Sequence, residues 1–188
     1  MPSPIGHSLA AYAIYSSTTN SKLRPDRVKL ILFILVANLP DIDFLPGFLV
    51  GYPNKYHHQF THSLSFAVII GVVAYTFLRI NGNKHYWQNF LIFSGLILSH
   101  VILDFFTLDT SAPYGEQLLW PFTEKYYLAP ASVFRNIQRA FSSDLFISSL
   151  FNIHNLWTVA FECVVLFPAI TIIHALKKKN ILKVDFSK

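Results

Sequence analysis

Apolar residues run through this chain in long blocks and not in alternation. Residues 28–39 (VKLILFILVANL), 61–79, 87–106 (WQNFLIFSGLILSHVILDFF) and 156–176 are nearly continuous apolar stretches. A helix that is apolar all round is buried in a large core or in a bilayer. At 1.5 Å per residue, about 20 residues cross a hydrocarbon layer of about 30 Å, and these runs are near that length. A milder run, 5–19 (IGHSLAAYAIYSSTT), is rich in small residues, which let membrane helices approach closely. The breaks between runs are marked. Pro25 suits a helix start, Pro40 ends the second run, and Pro46, Gly47, Gly51, Pro53 and Asn54 mark a loop. Asn81-Gly82-Asn83 is a turn, and 107–143 is mixed and Pro-containing, a long loop with short helical pieces. The pattern predicts an all-α fold: an integral membrane bundle of four to five transmembrane helices with a long extracytoplasmic loop. There is no internal repeat and no low-complexity tract.

Composition supports this reading. The chain is 188 residues long, 53% hydrophobic and 13% charged, with mean hydropathy +0.41. That is too apolar for an ordinary soluble domain, and the length suits one domain spanning 1–188. The formal charge of +5 does not indicate nucleic acid, because the cations cluster at 22–29, 79–84 and 177–183, beside apolar runs. Cys163 is the single cysteine, so an intrachain disulfide and a cysteine-based zinc site are excluded. Residues 1–7 show no basic segment followed by an apolar one, so no cleaved signal peptide is expected. Placing the three cation clusters in the cytoplasm gives five crossings, at 5–20, 28–40, 61–79, 87–106 and 155–176.

That topology, set from lysines and arginines alone, brings one group of residues to the outer half: His7, Asp41, Asp43, His58, His62, His100 and Asp104. Ionisable groups at membrane depth are costly unless they are paired, bound to an ion or functional. His58 and His62 are four apart, as are His100 and Asp104; on a helix such residues share a face and can point at one cation. Asp41 and Asp43, after Pro40, suit an irregular segment in which carboxylates bridge or flank metals, and His7 could close the shell. The plainer readings are that Asp41 or Asp43 caps a helix, that Thr61 caps the third helix, and that His100 and Asp104 form a private ion pair. His57, His85, His154 and His174 lack partners at ligand spacing and read as interface or structural histidines. Glu162, inside the last apolar run, reads either as functional or as a hydrogen-bonded packing residue.

In order, Gly6-His7-Ser8, Asn38-Leu39-Pro40-Asp41-Ile42-Asp43, His58-Gln59-Phe60-Thr61-His62-Ser63, Ser99-His100-Val101-Ile102-Leu103-Asp104 with Thr107, and Gly115 through Leu119-Trp120-Pro121-Phe122 resemble the YdjM family. The resemblance covers roughly 5–125, and the last fifty residues match only as an apolar helix. It implies a membrane-bound, metal-dependent hydrolase of a bacterial inner membrane, a family some of whose members are described as LexA-binding. A looser resemblance, to all-α zinc phospholipase C and related nucleases, implies a phosphoester substrate.

The expected function is metal-dependent hydrolysis of a lipid or other phosphoester, with membrane lipids as partners. The metal is a divalent ion, zinc or else manganese or iron, which mixed His and Asp ligands suit. His62, His100, Asp104, Asp41 and Asp43 are the expected ligands, with His7 and His58 beside them; Asp41 or Asp43 is the expected general base. Two other classes stay open. A metal-ion or proton transporter would need polar residues in both halves of the bilayer, and a non-catalytic membrane scaffold would need a sizeable cytoplasmic surface.

Overall fold

The computed structural model describes residues 1–19, 26–110 and 114–179. Lys22, Arg24 and Pro25, and the far end of the last cation cluster, lie outside the described residues. The helices are α1 (Pro4–Thr18), α2 (Arg27–Ala37), α3 (Phe44–Leu49), α4 (Leu64–Ile80), α5 (Tyr86–Phe105), α6 (Ser143–Ser149) and α7 (Ile153–Lys178). Among the described residues there are no strands, only isolated bridges between Thr107 and Phe134 and between Glu116 and Tyr127. The fold is all-α, as the apolar blocks predict.

Local chemistry sets the helix ends. Ser3 caps α1, its hydroxyl accepting from Gly6 N at 3.1 Å, and Pro4 opens the helix. Asp26 caps α2 by accepting from Lys29 N at 3.1 Å. Each such cap contributes about 0.5–2 kcal/mol. After Asn38 the chain tightens into a 3-10 turn, Leu39–Asp43, and then forms α3. This short helix falls on residues that read as a loop in the sequence, because Pro46 and Gly47 are poor helix formers. The third apolar helix begins later than its sequence suggests. Its cap is Ser63, accepting from Phe66 N at 3.1 Å, and not Thr61.

The bundle mixes small and large apolar residues inside and exposes many large ones outside. One buried cluster joins α1, α2 and α5 through Ala11, Tyr15, Phe33, Ala37, Ile92 and Leu96; a second joins α4 and α5 through Ala67, Ile97 and Val101. Gly71 of α4 lies so close to α5 that a Cβ there would stand 2.0 Å from Ser94 Oγ. By contrast Leu35, Val73, Phe77, Val164, Phe167 and Ile172 are exposed. Tight helix contacts made by small residues, with bulky apolar side chains outward, suit a lipid solvent. Two helices, Tyr86–Phe105 and Ile153–Lys178, are long and apolar enough to cross a membrane, and Leu64–Ile80 is a shorter apolar helix.

α1 packs on α7, α2 and α5, and α4 pairs with α5 across the turn at Asn81–Gly82. The N-terminal ends of α1, α4 and α7 therefore meet the C-terminal ends of α2 and α5 at one pole. The segment between α5 and α6 covers that pole. It donates from Gln117 N to His58 O at 3.1 Å, from Ile137 N to Met1 O at 3.2 Å and from Gln138 N to Asn155 Oδ1 at 2.7 Å. Gly115 has φ 90°, and a Cβ there would lie 2.2 Å from Tyr127 O, so only glycine suits this bend.

Candidate metal centre

Four segments deliver histidines and aspartates to the covered pole. α1 brings His7 and the 3-10 turn after α2 brings Asp41 and Asp43. The segment leading into α4 brings His57, His58 and His62, and the last turns of α5 bring His100 and Asp104. His7, His62 and His100 are fully buried and Asp104 is 5% exposed. Asp104 is the hub: Oδ1 lies 3.3 Å from His7 Nε2, and Oδ2 lies 3.3 Å from both His62 Nε2 and His100 Nε2 and 3.8 Å from His58 Nε2. Asp41 Oδ1 stands 3.8 Å from His62 Nε2 and 3.7 Å from His100 Nε2. The rings of His7 and His100 stack at 3.7 Å.

His100 and Asp104 share a face of α5, as their spacing predicts. His58 and His62 are not on a helix: His58 has φ 65°, in the left-handed region, and His62 ends a 3-10 turn, Phe60–His62. A side chain other than glycine in that region costs about 1–3 kcal/mol and is kept only where its surroundings hold it. Here the strained residue aims its imidazole at Asp104.

The hydrogen bonds fix which nitrogens carry lone pairs. His100 Nδ1 donates to the Ala37 carbonyl at 2.8 Å, so Nε2 is the free acceptor. Thr61 Oγ1 donates to Asp43 Oδ2 at 2.9 Å, which leaves His62 Nδ1 to donate toward Thr61 Oγ1 at 3.1 Å and Asp43 Oδ2 at 3.2 Å. In the neutral ring His62 Nε2 is therefore also an acceptor, and it faces His100 Nε2 at 3.2 Å. His57 Nδ1 donates to Asp43 Oδ1 at 3.0 Å, and the ring stacks on Phe44 at 4.1 Å. Asp43 thus engages both oxygens with the residues that orient His57 and His62, whereas Asp41 Oδ1 is left open.

Several converging atoms are buried with no hydrogen-bond partner: His7 Nε2, His57 Nε2, His58 Nε2, Asp41 Oδ1 and both oxygens of Asp104. An unsatisfied buried polar atom costs about 1–3 kcal/mol, so such a set calls for a cation. Burial holds the His57 and His58 imidazoles well below their ordinary pKa, with neighbouring histidines adding to it (His58 next for His57, His62 next for His58). Both rings are thus neutral, the form that binds metal. Three sets have donor atoms within 4.8 Å of one another: His57, His58, His62 and Asp104; His7, Asp41 and His100; and Asp41, Asp43 and His57. These buried His and Asp groups could hold a metal ion.

The structure brings together all seven residues singled out in the sequence, and it adds two. His57 has no partner at ligand spacing in the sequence; the turns at 53–56 and 60–62 fold it back beside Asp43. Glu116 is 1% exposed with both carboxylate oxygens unpartnered. It lies within the Gly115 to Phe122 block that resembles the family, but no spacing marks it as a ligand, so its burial is seen only in the fold. Glu162 accepts from Ser3 N at 2.8 Å and from the Ser3 hydroxyl, so it anchors the start of α1. His154 Nε2 donates to the Asn136 carbonyl of the covering segment at 3.0 Å, and His174 meets Tyr12 at 3.5 Å, remote from the centre.

An all-α bundle with apolar membrane-length helices, carrying a dry His/Asp cluster at one pole, is a membrane helical protein with a metal-type centre. The chain belongs to the YdjM family: the family model described as YdjM inner membrane protein matches residues 1–181. The match includes α7, beyond the stretch carried by the recognisable motifs. The chain is also 32% identical over 137 residues to Inner membrane protein YbcI of Escherichia coli (strain K12), covering 72% of this chain and 76% of that protein. No solved structure matches.

Proposed function

We propose that this protein is a multi-pass inner-membrane hydrolase that uses a divalent metal, zinc or else manganese or iron, to cleave a lipid or other phosphoester. The observation that carries the reading is the 3.2 Å approach of His62 Nε2 and His100 Nε2, each left with a lone pair by the donor role of its own Nδ1. Two lone pairs at that distance repel unless a proton or a metal cation lies between or beside them, and a metal cation satisfies both rings at once. His7, His58, His62, His100, Asp41 and Asp104 would hold the metal, with His57 at its edge. A bound divalent ion supplies a hydroxide at neutral pH and polarises the scissile group. Asp43 keeps His57 and His62 in register, and Asp41, whose side chain is 15% exposed against 0% for Asp104, is the carboxylate placed to accept a proton from water. Five crossings, with the centre toward the extracytoplasmic side, fit Arg79, Lys177 and Lys178 at the opposite helix ends.

Metal analysis of detergent-purified protein tests the reading. The wild type should hold at least one equivalent. Asp104→Asn, which keeps the shape and removes the charge, should lose metal by about 10–100-fold and abolish lipid phosphoester hydrolysis. His174→Gln should change neither. Wild-type protein without metal, or equal loss in His174→Gln, overturns the proposal.

A further inference from the structure

Two clefts open beside the centre and share a wall. One, of about 280 Å³, is polar and is lined by Asn54, His57, His58, Asn136 and Arg139, with the Asp109 carboxylate also on its wall. The other, of about 190 Å³, is lined by Phe44, Phe48, Phe146, Ile147 and Leu150, with Asp41 at its edge. Met1, Ile137 and Arg139 border both. Each cleft therefore reaches a different residue of the same centre: His57 and His58 from the polar side, Asp41 from the apolar side.

Arg139 stands at the junction. Its Nε donates to Asn54 Oδ1 at 2.6 Å and its guanidinium lies 5.1 Å from the Phe44 ring centroid. Among the described residues it has no carboxylate at ion-pair distance. The side chain is held in the field of Asp41, Asp104, Asp43 and Asp109 without a direct ion pair, so its remaining N–H groups are open to a planar or tetrahedral oxyanion, for which a guanidinium is built. Around the apolar cleft, α3 and α6 expose Leu45, Leu49 and Ile147, and Phe151 is exposed just after α6, an apolar rim that continues the cleft toward lipid.

We propose that the paired clefts bind an anionic single-chain or acyl-chain amphiphile, its phosphate-type head on Arg139 in the polar cleft and its hydrocarbon tail in the apolar cleft. This rests on the hydrolase reading only for its consequence, since it places the head–tail junction beside Asp41, His57 and His58. The Arg139 guanidinium, which borders both clefts, selects the head, and the apolar wall of the second cleft selects the tail.

The test measures binding of dodecyl phosphate, dodecanol and inorganic phosphate to the full chain in nanodiscs, with metal content read on each preparation. Dodecyl phosphate should bind the wild type at least about tenfold more tightly than inorganic phosphate. Arg139→Gln should weaken dodecyl phosphate by about tenfold or more while sparing dodecanol, and Arg139→Lys should recover part of the loss. Leu150→Trp, which fills the apolar cleft, should weaken both dodecyl ligands and leave inorganic phosphate unchanged. Equal binding of dodecyl phosphate and inorganic phosphate, or no effect of Arg139→Gln, overturns the inference even where metal is present. Metal-free wild type with Arg139-dependent binding would sink the hydrolase reading and leave this one standing.

Discussion

At the scale of single residues, Glu116 gives the sharpest test of the centre's electrostatics. Burial, with the Asp104 charge adding to it, pushes its carboxyl well above the ordinary glutamate range. A carboxyl whose pKa is raised on folding favours the folded state fully only below its unfolded pKa of about 4.3, and stability is lost as pH rises above that value. In chelator-treated protein, Glu116→Gln should therefore match the wild type in thermal stability at acid pH and exceed it increasingly toward neutral and alkaline pH. A constant difference across the pH series would mean that Glu116 is ionised in the fold. The same residue shows what one chain of letters conveys. His100 and Asp104 were legible because both sit on one continuous helix, where spacing maps to direction. His57 and Glu116 were not, because turns decide where they point. His58 and His62 reached the centre although the helical geometry expected for them is absent; their spacing pointed to the right residues for a reason the fold does not use.

Among the elements, α1 and α7 form the joint on which His7 depends. Glu162 of α7 holds the amide and hydroxyl of Ser3, Ser3 caps α1, and His7 follows one turn later. Gly6 permits the contact: a Cβ there would lie 2.8 Å from Glu162 Oε2. Gly6→Ala should push the helices apart, cost about 1–3 kcal/mol as overpacking does, and lower metal retention although no metal-type side chain is changed. Metal content and thermal stability measured together check this, and unchanged values in both would show that α1 is not held through this joint. The apolar blocks gave the long helices nearly to the residue. They hid α3, because its Pro and Gly mark a turn unless Phe44 and Phe48 find Phe146 to pack on, as they do at 5.4 and 5.0 Å.

For the molecule as a whole, the prediction concerns sidedness. If the centre lies on the outer face, as proposed, a cysteine at Asn54 should react with an impermeant thiol reagent from outside the cell and one at Asn83 should not; the opposite pattern would put the centre in the cytoplasm. Charge placement in the sequence is the ground for that proposed orientation, whereas the cover formed by the segment between α5 and α6 could be seen only once folded. The bond between Ser3 and Glu162 spans 159 residues, and it orders events in time. A ribosome has released His7, Asp41, His62, His100 and Asp104 well before it reaches α7, so the side chains of the centre are all in the membrane while the first helix still lacks its anchor. A chain interrupted before α7 would carry the His and Asp residues of the centre without the clamp that seats His7.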